Sequence, residues 1–257
     1  MSFALITGAS KGIGKAIALQ LAARKKDLLL VARNEMQLHE LCDQLQKNYN
    51  ITAHYLSLDL SQKDAAKNVF NWCQQNNYTI DVLVNNAGYG LSGAFGKYSL
   101  EEHLNMMQLN MNVVVEMIYH FLPELKKQPK AYILNIASSA AYQAVPFLSL
   151  YAASKSFVLQ FSRGLRLELS NTNVSVTCVN PGATDTAFVD RANIGTKGLE
   201  LAKKFNMRPD EVAKIAVDGM YKGRTEVITG FLNKIGAALA WLLPKKTIEK
   251  ASAKIYQ

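Results

Sequence analysis

Cysteine is scarce in this chain. Cys42, Cys73 and Cys178 lie far apart and form no C-x-x-C pair. That spacing excludes a disulfide frame and leaves reduced thiols as the expectation. The four histidines, His39, His54, His103 and His120, form no cluster with ligand spacing, so no metal site is expected. No uncharged apolar run approaches the roughly 18 residues that a membrane span requires. The opening "MSFALITGAS" lacks the charged region and long apolar core of a secretory signal, and a cytoplasmic location is the expectation. Acidic charge is also short: 20 acidic residues face 29 basic ones, for a net +9. Such a balance suits nucleic acid, anionic lipid or a phosphorylated ligand. No basic stripe interleaved with aromatics is present, so nucleic acid is not expected as a partner. Internal repeats and low-complexity linkers are missing too.

What is present is a large apolar fraction, 49% of 257 residues, enough for a sizeable core. It comes in an alternating pattern. "FALITG", "DLLLVAR", "TAHYLSLDL", "IDVLVNNAG", "AYILNIAS", "VSVTCVNPG" and "TEVIT" read as seven short apolar strands. Helical periodicity fills the intervals at 12–24, 34–48, 61–76, 99–126 and 150–170, with Ser149 as an N-cap of the last. Another helix is expected to start at Pro209 in "RPDE". Strands this apolar are buried on both faces, as in a parallel sheet covered by helices. The pattern predicts a single doubly wound, Rossmann-type α/β domain over residues 1–230, with a seven-stranded, mostly parallel sheet. Residues 183–207 are weakly patterned and read as a mobile substrate loop. Residues 231–257 read as a basic amphipathic helical extension of the same domain.

"TGASKGIG", Thr7 to Gly14, stands between the first strand and the first helix. Gly8, Gly12 and Gly14 let the backbone turn tightly and approach a pyrophosphate, while the helix start offers unpaired N–H groups. This junction is where doubly wound sheets bind dinucleotides. The G-x-x-x-G-x-G spacing resembles that of the short-chain dehydrogenase/reductase family, and the resemblance extends over residues 3 to 230. "NNAG" at 85–88 follows the fourth strand as that family's motif does. Asp59 in "LDL" matches the acidic residue that contacts adenine there. "NPG" at 180–182 follows the sixth strand, with Thr186 completing P-G-x-x-x-T. Carried over residue by residue, the resemblance implies a nicotinamide dinucleotide held by Gly8, Ser10, Lys11, Gly12, Ile13, Gly14, Arg33, Asp59, Asn86, Ala87, Gly88, Tyr151, Lys155, Pro181, Gly182, Thr184 and Thr186. At the end of the second strand, dinucleotide folds for NAD carry an acid for the ribose hydroxyls. Here Ala32 and Arg33 stand instead, and Lys11 lies in the glycine loop. Two cations and no acid favour NADP(H) over NAD(H).

"YAASK" puts Tyr151 and Lys155 four apart on one helix face. A free phenol has a pKa of about 10, and a neighbouring ammonium favours phenolate. The pair could therefore trade a proton with a carbonyl or alcohol oxygen. Ser138, thirteen residues before Tyr151 at the end of the fifth strand, fits the family's serine, with Ser139 as a neighbour that satisfies backbone. A serine hydroxyl there would hydrogen-bond the substrate oxygen. Asn110 in "MQLNMN" matches the family's helix asparagine, which holds a water linking the lysine to solvent; Asn112 is the competing choice. Lys155 would also bind the nicotinamide ribose. The resemblance thus implies oxidoreduction between a carbonyl and an alcohol, and a homodimer or homotetramer built on the helices near 99–126 and 150–170.

"YGLSGAFG" and "AYQAVPFL" are apolar and aromatic, which favours a hydrophobic small-molecule substrate. The tail holds five lysines and one glutamate in 231–257, and Phe231, Ile235, Leu239 and Leu242 share a helical face. It could cap the pocket, join subunits or make peripheral contact with an anionic membrane, and a packed helix is the ordinary expectation. Two further classes stand beside the enzyme: an NADP(H)-binding sensor, which should lack a catalytic group, and a membrane-associated interaction protein acting through the tail.

Overall fold

In the computed structural model, residues 2–184 and 206–256 are described. Seven strands form one sheet: β1 (Phe3–Thr7), β2 (Asp27–Ala32), β3 (Ala53–Ser57), β4 (Ile80–Asn85), β5 (Ala131–Ile136), β6 (Val174–Asn180) and β7 (Glu226–Ile228). Their order is β3-β2-β1-β4-β5-β6-β7, and all six pairings are parallel. Parallel neighbours need crossovers, and the helices supply them: α1 (Gly12–Ala22), α2 (Glu35–Tyr49), α3 (Ala65–Gln75), α4 (Leu100–Met107), α5 (Val113–Lys127), α6 (Ser149–Glu168) and α7 (Pro209–Tyr221).

Side chains alternate across each strand, so the sheet carries an apolar core on both faces. One face uses Leu5, Leu29, Leu83, Ile133 and Val176 against α3, α5 and α6. The other uses Ile6, Leu30, Val84, Leu134 and Val179 against α1, α2 and α7. The strand order reverses between β1 and β4, whose C-terminal ends, Thr7 and Asn85, open a crevice where ligands of such sheets bind.

Four sequence expectations shift in detail. The helix expected over 99–126 is interrupted: a π-helical turn, Gln108–Asn112, separates α4 from α5. Its wider hydrogen-bond spacing turns Asn110 inward, to 1% exposure. The helix expected from 61 starts at Ala65, because the Asp59 carboxylate accepts from the Ser61 N–H and hydroxyl and holds a turn there. Ser149 is the first helical residue of α6 and not its cap. Leu148 takes that place, with its carbonyl accepting from Ala152 N–H at 2.8 Å. The extension is two helices, α8 (Phe231–Leu242) and α9 (Lys245–Tyr256), broken at Pro244, and α8 buries none of its residues. Pro209 does stand at the start of α7.

Candidate active site

The glycine loop is held from the neighbouring strand end. Gly8 and Gly12 have φ of 65° and 58°, left-handed backbone that glycine adopts at no steric cost. Gly14 makes the closest approach: a Cβ there would lie 2.3 Å from the Gly8 carbonyl oxygen. The Asn86 amide donates to the carbonyls of Thr7 and Gly8 at 2.9 and 3.1 Å. In return, the Thr7 hydroxyl accepts from the N–H groups of Asn86 and Ala87 at 2.9 and 3.1 Å. The sequence motifs contain Thr7 but gave it no role; its hydroxyl ties the two segments together. Ser10 and the exposed Lys11 lie on this loop, and Ile13 packs its side chain toward the α1–α2 core.

At the end of β2, Arg33 is mostly exposed and its guanidinium lies 3.7 Å from the Asp59 carboxylate. Burial acts to raise the Asp59 carboxyl, but the Ser61 donors and Arg33 outweigh it and hold the group below its ordinary value. Arg33 and Asp59, both expected at the nucleotide, are therefore adjacent. Lys11 leads into the first turn of α1.

The chemical end is a chain of buried polar groups. Asn110 donates to the Tyr89 carbonyl at 2.9 Å and to the Ser154 hydroxyl at 3.1 Å, and accepts from the Tyr89 N–H at 3.0 Å. It thus clamps the loop after β4 to α6. Gly88 fits between: a Cβ on it would meet Asn110 Oδ1 at 2.8 Å and Lys155 Nζ at 3.4 Å. Lys155 is buried and donates from Nζ to the Ile136 carbonyl at 3.0 Å. Burial pulls its pKa down from 10.5 to about 8. Its Nζ is 5.8 Å from the centre of the Tyr151 ring, which packs among Tyr89, Met106, Val145 and Leu148. Ser138 caps a 3-10 turn, Ser139–Tyr142, by accepting from the Ala140 N–H at 3.1 Å. That bond uses a lone pair and leaves the hydroxyl proton to donate. The Ser139 N–H bonds the Pro181 carbonyl at 2.7 Å. Beneath the site, Asn85 donates to Asn135 and Asn135 to Ser162, both at 2.9 Å, crossing from β4 through β5 to α6.

Tyr142 closes the turn that follows Ser138, and Tyr151 lies beyond it on α6. The Tyr142 hydroxyl donates to the Glu226 carboxylate, and burial together with that carboxylate raises its pKa. Tyr151 has the Lys155 ammonium 5.8 Å from its ring centre.

After β6, Gly182 lies against the Asn233 side chain from α8; a Cβ there would be 2.1 Å from Asn233 Nδ2. The Thr184 hydroxyl donates to the Gly182 carbonyl at 3.1 Å, and Thr184 bridges to Met207. Thr186 and most of the expected loop 183–207 lie outside the described residues. Asn233 carried no motif and was missed. A cavity of about 340 Å³ is lined by Leu91, Ala94, Phe95, Met106, Phe147 and Leu150 among others, Leu150 being the chain neighbour of Tyr151. Among the described residues, no three His, Cys, Asp or Glu side chains gather to hold a metal, and no helix is long and apolar enough to cross a membrane.

Comparison with known proteins agrees with this architecture. The family model described as short chain dehydrogenase matches residues 2–196. An uncharacterized oxidoreductase of Staphylococcus epidermidis is 32% identical over 194 residues, 76% of this chain and 83% of that protein. The solved structure of a short-chain dehydrogenase from Sphingobium yanoikuyae in complex with NADPH superposes with a TM-score of 0.82. It is 30% identical and covers 94% of this chain and 95% of its own. An alcohol dehydrogenase from Thermococcus sibiricus complexed with 5-hydroxy-NADP is 28% identical, with a TM-score of 0.77 and coverage of 89% and 95%.

Proposed function

The chain belongs to the short-chain dehydrogenase family, and from that premise we propose an NADP(H)-dependent oxidoreductase that interconverts a hydrophobic ketone and its secondary alcohol. The observation that carries this reading is the pairing of Tyr151 with a buried Lys155 on α6, beside an apolar cavity. The glycine cradle fits a dinucleotide, because Gly8 and Gly12 take left-handed backbone and Gly14 has no room for a Cβ, so the chain can approach a pyrophosphate at the start of α1. Arg33 and Lys11 would receive the 2′-phosphate, and Arg33 can leave Asp59 for it because their 3.7 Å contact is solvent-exposed and weak. Lys155 would hold the nicotinamide ribose; Ala87, Gly88, Pro181, Gly182 and Thr184 would line the nicotinamide side. When bound, the nicotinamide supplies or takes the hydride.

The protein's part is to manage charge on the substrate oxygen. In reduction, the Tyr151 hydroxyl gives that oxygen a proton, and the Ser138 hydroxyl donates a hydrogen bond to it. The Lys155 ammonium favours the phenolate that remains. Asn110 holds the loop at Tyr89 and α6 at Ser154 in fixed relation, so both donors keep their aim. In oxidation the same groups run in reverse. The 340 Å³ cavity with its Leu, Met and Phe walls suits an apolar substrate body.

The test is NADPH oxidation against a panel of ketones, with Tyr151→Phe as the comparison. Turnover should fall about a hundred- to ten-thousand-fold while NADPH binding persists. Equal turnover in the variant would remove Tyr151 from its role. NADPH binding with no turnover of any ketone would favour a sensor.

A further inference from the structure

The extension is folded with its apolar side outward. On α8 the side chains turned toward the domain are Asn233, Ala237 and Ala240; Asn233 donates to the Thr229 carbonyl at 2.8 Å. Phe231, Leu232, Ile235, Leu239 and Leu242 point away, and Trp241 is 89% exposed. Scattered exposed apolar residues are ordinary on protein surfaces, but a whole helix face of them is not. The placement is anchored rather than loose: Asn233 lies against Gly182, and further along, Ser252 of α9 is buried and accepts from Gln143 at 2.6 Å. Gln143 ends the turn that Ser138 begins. The outward face therefore sits on the substrate side of the molecule.

Charge identifies what covers it. Helix α8 contains no acidic residue, and its lone lysine, Lys234, is exposed. Lys245, Lys246 and Lys250 follow, also exposed, and residues 231–257 hold five lysines against one glutamate. A two-fold contact with a second copy would press two such basic segments together, whereas an anionic surface would gain from every lysine. We propose that the outward apolar face of α8, with Lys245, Lys246 and Lys250 of α9, docks on an anionic lipid surface and lies in its interface without crossing it. Resting on the function proposed above, this also assigns the substrate class: a lipophilic ketone or alcohol dissolved in the bilayer, which meets the protein on the side of the catalytic turn.

Docking is tested on the full chain without cofactor or substrate, so its outcome is independent of catalysis. The protein is sedimented with vesicles of phosphatidylcholine, and with vesicles in which part of it is replaced by phosphatidylglycerol. Binding should be at least about tenfold tighter to the anionic vesicles, weaken in high salt, and shift Trp241 emission to shorter wavelength. Leu239→Glu with Trp241→Glu should abolish binding and leave turnover of a short water-soluble ketone unchanged. Lys245→Gln with Lys246→Gln and Lys250→Gln should abolish the anionic preference. Absence of binding to anionic vesicles, or binding indifferent to both sets of substitutions, would overturn the proposal. A dimer that Leu239→Glu dissociates, in a protein that ignores vesicles, would give the face to a second copy and also overturn it. If anionic vesicles bind the protein without speeding turnover of a long-chain ketone over its short homologue, the assigned substrate class falls.

Discussion

At the start of α1 the chain uses backbone; at the start of α6 it uses buried side chains. The nucleotide end is defined by left-handed glycines, by a gap too small for a Cβ at Gly14, and by cations standing in solvent. The chemical end is defined by Asn110, Ser154, Lys155 and the Asn85–Asn135–Ser162 chain, nearly all removed from water and hydrogen-bonded to one another or to strand carbonyls. On the proposed reading, the first recognises a shape and a charge that arrive with the ligand. The second must keep a cation in the interior before any ligand arrives, and the lowered pKa of Lys155 records what that costs. The two ends should therefore fail differently: one to an added methyl, the other to a removed charge.

The largest break is expected at Lys155→Met. Turnover should fall about a hundred- to ten-thousand-fold, as for loss of the acid–base group itself. Stability should move the other way in its pH dependence. The ammonium titrates near 8 in the folded chain and near 10.5 unfolded. Between those values the unfolded chain holds more protons, so this position's contribution to stability rises with pH over that window and is flat, at its most unfavourable, below it. Urea midpoints across pH 7 to 11 should show that rise in the wild type and lose it in Lys155→Met. A rise that persists would assign it to another group.

Gly14→Ala adds one methyl at the other end. With the Gly8 carbonyl oxygen 2.3 Å from the new Cβ, the loop must shift, at a cost of about 1–3 kcal/mol. NADPH affinity should weaken by about tenfold or more, while the chemical step, measured at saturating cofactor, changes little. A chemical step lost in proportion would mean the two ends are not separable. Arg33→Asp sharpens the same contrast without touching the fold. It should weaken NADPH by about tenfold or more and NADH far less, because only the extra phosphate reads that charge. Calorimetric titration with both nucleotides checks it; equal losses would refute the phosphate reading.

The same division explains what was legible in the sequence. Strand periodicity and the Gly8–Gly14 loop could be read because each depends on residues a few positions apart. Tyr151 and Lys155 were legible because one helix turn joins them. The bonds of the Thr7 hydroxyl, the seat of Asn233 on Gly182 and the Tyr142–Glu226 pair were not, since the partners lie 51 to 84 positions apart and no local pattern joins them. The π-helical turn was hidden for a different reason: one extra residue in a turn leaves the apolar pattern of 99–126 nearly intact. The tail was read as amphipathic, which it is, but the sense of its burial is inverted. Periodicity reports that a helix has two faces and says nothing of which one the domain takes.

The smallest effect is expected two residues past Asn110. Both asparagines lie in the same π-helical turn, and the sequence left Asn112 as a competitor for the same role. Their surroundings differ. Asn110 is enclosed and serves the N–H and carbonyl of Tyr89; its loss would remove both buried bonds, at about 1–3 kcal/mol. Asn112 is exposed and, among the described residues, its side chain reaches only Gln108, at 2.6 Å on the same surface. Water can replace that bond, so Asn112→Ala should change stability by less than about 0.5 kcal/mol and leave turnover where it was. Thermal unfolding and ketone reduction on the two alanine variants make the comparison. If Asn112→Ala were the more damaging, the inward turn at Asn110 would not be what joins the loop to the catalytic helix, and the interior chain of polar groups would lose its first link.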